Sequence, residues 1–175
     1  MFTRSLDVES TATLVHAFVM SCVEYCNAIL AGASKFITDK FKRVMNAAAR
    51  VVSDSRKYDR GLTSLLHNKL HWLDVPERVQ YKLCAVVHLY LQHKAPQYMI
   101  DCCVYTSDIA RRQQLRSVGC RQLLVPRHRH SMFGHWAFSV AGPAAWNSLP
   151  DYLRDPTRSV DSFCRDLKTL LFSFF

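Results

Sequence analysis

The sequence has few carboxylates, and no two of them are adjacent in the chain. Its 175 residues include 14 Asp and Glu against 23 Lys and Arg, a formal net charge of +9, and they contain no Asp-Asp or Asp-x-Asp sequence. Phosphoryl transfer at two metal ions needs several carboxylates that converge on both cations. Because the acids here are scattered singly, we expect no such site and assign no catalytic residue.

Long hydrophobic runs are also missing. The longest apolar stretch, residues 14–23, includes His16 and Ser21, and it falls short of the roughly 20 residues that a membrane span needs. Asp7 and Glu9 lie where a secretory signal would carry no acids. We therefore expect no membrane partner, and an intracellular protein of the nucleus or the cytoplasm.

Cysteine patterns typical of zinc sites do not occur. There is no C-x-x-C, and no Cys or His pair is followed by a second pair at zinc-finger spacing. The seven cysteines are odd in number and irregularly spaced, which favours reduced thiols. Cys22 and Cys26 fit core packing better than a metal site, and Cys120 with His128 and His130 is an alternative ligand set. We assign no metal ligand and no cofactor.

Acidic residues are absent from one long segment. Residues 109–150 hold six Arg and no acid, whereas residues 1–108 hold 13 basic and 10 acidic residues, and residues 151–175 hold four of each. Four of the six prolines and three of the five glycines follow residue 118. The sequence therefore predicts a helical region, an Arg-rich region of loops and short strands, and a C-terminal helix. The predicted boundaries are 10–103, 104–158 and 159–173.

The helical region begins with an amphipathic pattern. We expect Ser10 or Thr11 to cap the first helix and Gly32 to end it. The apolar side chains that share one face, and are predicted to be buried, are Leu14, Phe18, Cys22, Tyr25, Cys26 and Ile29.

The second helix has the clearest pattern, with apolar residues at i, i+3, i+4, i+7 and i+11. These residues are Phe41, Val44, Met45, Ala48 and Val52. The opposite stripe is predicted to face outward and holds Asp39, Lys42, Arg43, Asn46 and Arg50. Polar stripes of this kind are common on exposed helices, so the stripe alone does not indicate a ligand.

A third helix is expected to start at Pro76, because a proline at the first helical position loses no hydrogen bond, and to end before Pro96. Short helical turns are predicted at 62–68 and 97–103. The residues that the third helix is expected to bury are Val79, Leu83, Val86, Val87, Tyr90 and Leu91.

The Arg-rich region is predicted to contain two short strands, residues 122–125 and 137–141, and a packed turn at 146–150. Pro126 and Pro143 follow the strands, and proline favours a sheet edge. The last helix is expected to begin at Ser159 and to bury Phe163, Leu167, Leu170 and Leu171. The fold class is therefore mainly α: a helical bundle, then a basic loop or short β-hairpin extension, then a C-terminal helix.

The Arg-rich region has the composition of a surface that binds nucleic acid. Guanidinium groups bind phosphate through two parallel hydrogen bonds, so a segment without acids suits a phosphate backbone. The candidate residues are Arg111, Arg112, Arg116, Arg121, Arg127 and Arg129. Nearby aromatic residues such as Trp146 are candidates for stacking on unpaired bases. The alternative is that the arginines are solvated and that Trp146 fills a core.

An ordered series of short motifs resembles the segment that follows the polymerase palm in non-LTR retrotransposon reverse transcriptases of the jockey and chicken-repeat type. The series spans residues 12–172. Its members are Leu14 to Val19, Tyr25 to Asn27, Val44 to Arg50, Leu70 to Val75 with Arg78, Ala95 to Tyr98, Leu115 to Ser117, Leu124 to Arg127, Ala137 to Pro143, Trp146 to Pro150 and Leu167 to Thr169.

The resemblance implies a thumb and downstream region without its own catalytic site. In this family the palm carries an aromatic-Ala-Asp-Asp motif, which nothing here matches, and Mg²⁺ would belong to that palm. The implied partners are an RNA–DNA hybrid, or an RNA or DNA backbone. The implied binding residues are Lys42, Arg43, Asn46 and Arg50, with the arginines of the Arg-rich region as a second contact. The chain is therefore expected not to be an enzyme on its own.

Two other interpretations remain open. In the first, the chain is a helical module for protein–protein interaction, in which the apolar segment 170–175 packs on a palm domain or another protein. Alternatively, it is a decayed transposable element with no selected function.

Overall fold

A computed structural model describes residues 7–25, 27–56, 58–109, 120–126 and 137–173. These residues form a mainly helical structure, as predicted. The α-helices in chain order are α1 (Val8–Val15), α2 (Ser21–Glu24), α3 (Lys35–Ser53), α4 (Leu62–Ser64), α5 (Val75–Leu91), α6 (Gln97–Ile100), α7 (Phe138–Asn147) and α8 (Val160–Phe172). Turns of π-helix (His16–Met20, Leu65–Lys69) and of 3-10 helix (Asn27–Leu30, Thr106–Asp108) lie between them.

The chain divides into two compact units. Unit 1 comprises Met1–Asn27 and Ala33–Arg78, and unit 2 comprises Ala28–Gly32 and Val79–Phe174. The division lies within α5.

The first helical segment of unit 1 buries a different face from the predicted one. Thr11, Val15, Met20 and Val23 are buried, at steps of four, five and three residues. The five-residue step coincides with the π-helical turn, whose wider hydrogen-bond ring adds one residue and rotates the buried face. The members of the predicted face that the structure describes are exposed: Leu14, Phe18, Cys22, Tyr25 and Ile29. The predicted burial of this face, including core packing of Cys22, was therefore wrong.

Helix α3 buries three of the five residues predicted for its buried face. Met45, Ala48 and Val52 are buried as predicted, but Val44 is 47% exposed and Ala49 takes a buried position instead. The helix ends where Asp54 adopts a left-handed conformation, with φ of 50°. The buried face is therefore turned slightly away from Val44, which leaves that side chain beside the basic residues.

The other predicted helices are present. Helix α5 has Pro76 in its first turn and ends at Leu91, and the short turns fall at α4 and α6. Helix α8 begins after Ser159, whose hydroxyl accepts a hydrogen bond from the Ser162 N–H. Phe163, Leu167 and Leu171 of α8 are fully buried within unit 2.

The strand predicted at 137–141 is the start of helix α7. Phe138, Ala141 and Ala145 follow helical spacing and pack against buried Val79 and Leu83. A short apolar run fits a strand or a buried helix equally, and spacing over the longer segment decides between them. The predicted turn at 146–150 accordingly starts inside α7, which extends to Asn147.

Gly142 permits a close approach between α7 and α5. A Cβ atom at this position would lie 3.1 Å from Val87 Cγ2 and 2.9 Å from Phe138 Cζ. Any side chain at position 142 would push these groups apart. Gly142 therefore lets α7 pack against α5 without a shift of these side chains.

The strand predicted at 122–125 is reduced to one antiparallel bridge. Leu123 pairs with Tyr105, and no strand occurs elsewhere in the described ranges. The partner is residue 105 rather than the 137–141 segment, which is helical. The predicted β-hairpin extension is therefore not confirmed.

Three buried rings form the centre of unit 2. The His88 and Phe163 rings stack with centroids 4.1 Å apart, and the Trp146 and Phe163 centroids are 5.8 Å apart. His88 Nε2 lies 3.1 Å from the Arg158 carbonyl oxygen, and burial lowers the pKa of His88 below its ordinary value of 6.5. The folded protein therefore holds this imidazole in its neutral form.

Unit 2 is expected to lose stability in acid because of His88. The unfolded chain binds a proton near pH 6.5, whereas folded His88 binds it only at lower pH. The stability that neutral His88 contributes is complete above pH 6.5. Below pH 6.5 the free energy of unfolding falls, with a slope of at most about 1.4 kcal/mol per pH unit, until the folded pKa is reached. Chemical denaturation at several pH values measures this slope. His88→Phe should flatten this slope, and equal slopes in the two proteins would contradict the assignment.

Candidate nucleic-acid interface

The implied binding residues of α3 lie along one flank of the helix but differ in accessibility. Arg43 is exposed, and no ion pair engages it within the described residues. Lys42 is exposed but its Nζ lies 2.9 Å from Asp74 Oδ2. Asn46 and Arg50 are half-buried. The prediction that all four face outward therefore holds fully for Lys42 and Arg43 only.

Asn46 and Arg50 present buried polar atoms without partners in the part of the chain that the structure describes. These atoms are Asn46 Oδ1 and Arg50 Nε. A buried polar atom without a hydrogen bond costs about 1–3 kcal/mol. The two residues therefore face the interior with part of each side chain, and only the remainder is available to a ligand.

Lys40 is not among the predicted binding residues, but it shares the exposed face of α3 with Arg43. Lys40 is exposed, and its Nζ lies 4.3 Å from the centre of the Phe36 ring. Residues three apart are neighbours on a helix surface. The position of Lys40, three residues before Arg43, was therefore a sequence signal that the two side chains share a face. Val44 and Ala47 are exposed beside these two cations. The accessible face of α3 therefore combines basic groups with small apolar side chains.

A polar network in unit 1 includes Lys42. The Asp74 carboxylate contacts Lys42 through Oδ2 and lies 3.5 Å from His67 Nε2 through Oδ1. Next to it, Arg78 donates from Nε to the Leu73 carbonyl at 2.7 Å and pairs with Glu24 at 2.5 Å. Asp74 and Arg78 therefore both make contacts within unit 1.

Arg121 is the only arginine of the predicted Arg-rich cluster that lies in the described ranges. Its guanidinium pairs with Asp155 at 2.9 Å, and its side chain is 48% exposed. Arg111, Arg112, Arg116, Arg127 and Arg129 lie outside the described residues. Arg121 belongs to unit 2 and the α3 residues belong to unit 1.

Trp146 belongs to the core. Its side chain is fully buried and its Nε1 donates to the Arg121 carbonyl at 3.1 Å. The core interpretation of this residue is confirmed, and its ring is not available to stack on a base.

The cysteines and acids of the described ranges form neither a reactive thiol site nor a metal-binding group. Six cysteines there are free thiols. Burial raises the pKa of Cys84 to about 12 and that of Cys103 to about 11, so both remain protonated and weakly nucleophilic. No group of three or more His, Cys, Asp or Glu side chains capable of holding a metal occurs among the residues searched. His128 and His130, considered with Cys120, lie outside them.

Within the described ranges no helix combines the length and the apolar character needed to cross a membrane. Comparisons with protein-family models, with curated proteins and with solved structures found no match for the chain.

Proposed function

We propose that the chain binds the phosphate backbone of nucleic acid, as a non-catalytic, thumb-like part of a retrotransposon reverse transcriptase. The observation that carries this proposal is the run of six arginines, without any acid, in residues 109–150. The exposed Lys40 and Arg43 of α3 add a second basic surface. The free thiols suit the reducing conditions of the nucleus or the cytoplasm.

An RNA–DNA hybrid is the partner that best suits α3. Its A-like helix has a wide, shallow minor groove that proteins recognise by shape and backbone. Small side chains such as Ala47 allow a helix to approach such a groove, and the exposed Lys40 and Arg43 on the same face supply positive charge for the phosphates. Lys42 contributes less to binding, because Asp74 already neutralises it.

Charge reversal in the Arg-rich region is expected to weaken hybrid binding. Arg127→Glu combined with Arg129→Glu should lower affinity for a 20-base-pair RNA–DNA hybrid by about tenfold or more, and reduce the dependence of log K on log salt by about two. Fluorescence polarisation at several salt concentrations measures both quantities. Arg165→Glu is the control, because Arg165 is exposed on α8 outside this region, and it should change neither quantity as much.

Two results would contradict the proposal. One is an affinity that does not change with salt in the unmodified protein, because phosphate contacts release counterions. The other is an unchanged affinity after the double charge reversal. Primer extension with Mg²⁺ by the chain alone would separately contradict its description as non-catalytic.

A second candidate function is protein–protein interaction, and the exposed face of the first helical segment favours it. Phe18 is 71% exposed and Tyr25 is 81% exposed, and large exposed apolar patches mark interaction sites. The segment predicted for this role, 170–175, is less suitable, because Leu171 is buried in unit 2. Light scattering of the unmodified protein and of Phe18→Ser would detect self-association through this face.

A further inference from the structure

Unit 1 contains a cleft where the first helical segment lies beside the turn that precedes α5. Its volume is about 470 Å³, which lies within the usual range for sites that bind small molecules. The lining residues come from two segments, 12–17 and 69–72, and both segments belong to unit 1. The cleft is therefore a feature of one compact unit.

Both segments that line the cleft include part of a π-helical turn. The first turn begins at His16 and the second ends at Lys69, and both residues line the cleft. Turns of π-helix are rare and occur frequently at functional sites. After the second turn, His71 adopts a left-handed φ of 51°, and the Trp72 N–H donates to the Leu66 carbonyl at 2.9 Å. The cleft is therefore built where the backbone of both segments departs from regular helix.

The lining of the cleft carries positive charge without negative charge. Lys69 is exposed, and within the described residues no ion pair engages it. The lining residues include no carboxylate. His16 is exposed as well, so its ring nitrogens are accessible in the same cleft. A lysine ammonium binds phosphate as a point charge, and the cleft therefore suits an anionic ligand of this kind.

The remaining lining residues suit the other parts of a nucleotide. Ala12, Ala17 and the buried Trp72 supply apolar surface, against which a flat base can pack. The Thr13 hydroxyl donates to the Glu9 carbonyl at 3.0 Å, so its oxygen remains as an acceptor for a ligand hydroxyl such as that of a ribose. The cleft thus offers separate contacts for a base, a sugar and a phosphate.

We propose that this cleft is a binding site for a nucleoside monophosphate. The base packs on the two alanines and Trp72, a ribose hydroxyl donates to Thr13, and the phosphate contacts Lys69 and His16. The ligand is either a free nucleotide or the phosphorylated end of a strand, since both present the same groups. The site goes beyond the proposed binding of a phosphate backbone and does not depend on it.

The test titrates AMP, adenosine and inorganic phosphate separately into the full chain. Methyl NMR locates the binding, because the Ala12 and Ala17 methyl groups line the cleft. Both resonances should shift with AMP. AMP should bind about tenfold more tightly than adenosine or phosphate, because each of these lacks one set of contacts. A short 5′-phosphorylated RNA strand that shifts the same resonances at lower concentration than AMP would identify a strand end as the ligand.

Lys69→Gln removes the charge and should weaken AMP binding by about fivefold, without changing the binding of adenosine. Ala17→Leu places a larger side chain in the cleft and should weaken both ligands. Lys82→Gln is the charge control, because Lys82 is exposed on α5 in unit 2 and does not line the cleft. It should leave AMP binding unchanged.

Three results would overturn the proposal. The first is that neither AMP nor the RNA strand shifts the Ala12 and Ala17 resonances. The second is that AMP binds no more tightly than adenosine or phosphate. The third is that Lys69→Gln retains the full preference for AMP over adenosine, because the phosphate would then be bound elsewhere. Lys69 is exposed, so its substitution tests the site without disturbing a core.

Discussion

Phe163→Ala is expected to destabilise unit 2 by about 3–5 kcal/mol, the usual cost of removing a fully buried phenylalanine. The Phe163 ring is fully buried and stacks on His88 and near Trp146. Its removal leaves a cavity between helices α5, α7 and α8. A loss of this size is a large fraction of the stability of most domains, so much of unit 2 should unfold under mild conditions.

Hydrogen exchange of the Trp146 indole N–H reports this loss directly, because that group is buried and bonded to the Arg121 carbonyl. Denaturant unfolding of the full chain gives the free energy. Thr169→Ala on the exposed side of α8 is the matched control and should stay within about 0.5 kcal/mol of the unmodified protein. A loss below about 1 kcal/mol for Phe163→Ala would show that the ring is not part of a packed core.

Helix α8 could be predicted closely from the sequence because its signals agree with one another. Ser159 provides a cap, and Phe163, Leu167 and Leu171 recur at a spacing of four. The buried face of the first helical segment could not be predicted, although apolar residues are as frequent there as in α8. Its π-helical turn shifts the buried face by one residue between Val15 and Met20. The regular spacing of the apolar residues from Leu14 to Ile29 does not reveal this turn.

The candidate interface shows the same limit. Sequence spacing located the basic flank of α3, but not the ion pair that occupies Lys42, because Asp74 is 32 residues away. Sequence also located the arginines around residue 121. It did not indicate that Asn147 and Trp146 would bond to the backbone of Leu123 and Arg121, since bonds between residues 24 and 25 apart depend on how α7 packs. The sequence shows where the charged residues are, whereas the groups that each of them contacts depend on the fold.

Arg78→Ala is expected to destabilise unit 1 by about 2–4 kcal/mol, because hydrogen bonds made by a charged group contribute about 1.5–3 kcal/mol each. The Arg78 side chain is 10% exposed and joins the Leu73 carbonyl to Glu24. Burial lowers the pKa of the guanidinium, and Glu24 opposes this shift. The substitution leaves the Leu73 carbonyl without its donor and removes the link between α2 and the start of α5.

Glu24→Ala separates the two contacts of Arg78. The Glu24 side chain is 51% exposed, so water screens its ion pair and we expect a loss of only about 1 kcal/mol. The larger part of the Arg78 effect should therefore come from the Leu73 carbonyl, which Arg78→Lys cannot restore because lysine lacks the Nε–H group. Hydrogen exchange of peptides from 7–25 and 35–53 measures each variant, with exposed Arg43→Ala as the control. If Glu24→Ala destabilised unit 1 as much as Arg78→Ala, the ion pair rather than the carbonyl contact would be the main contribution.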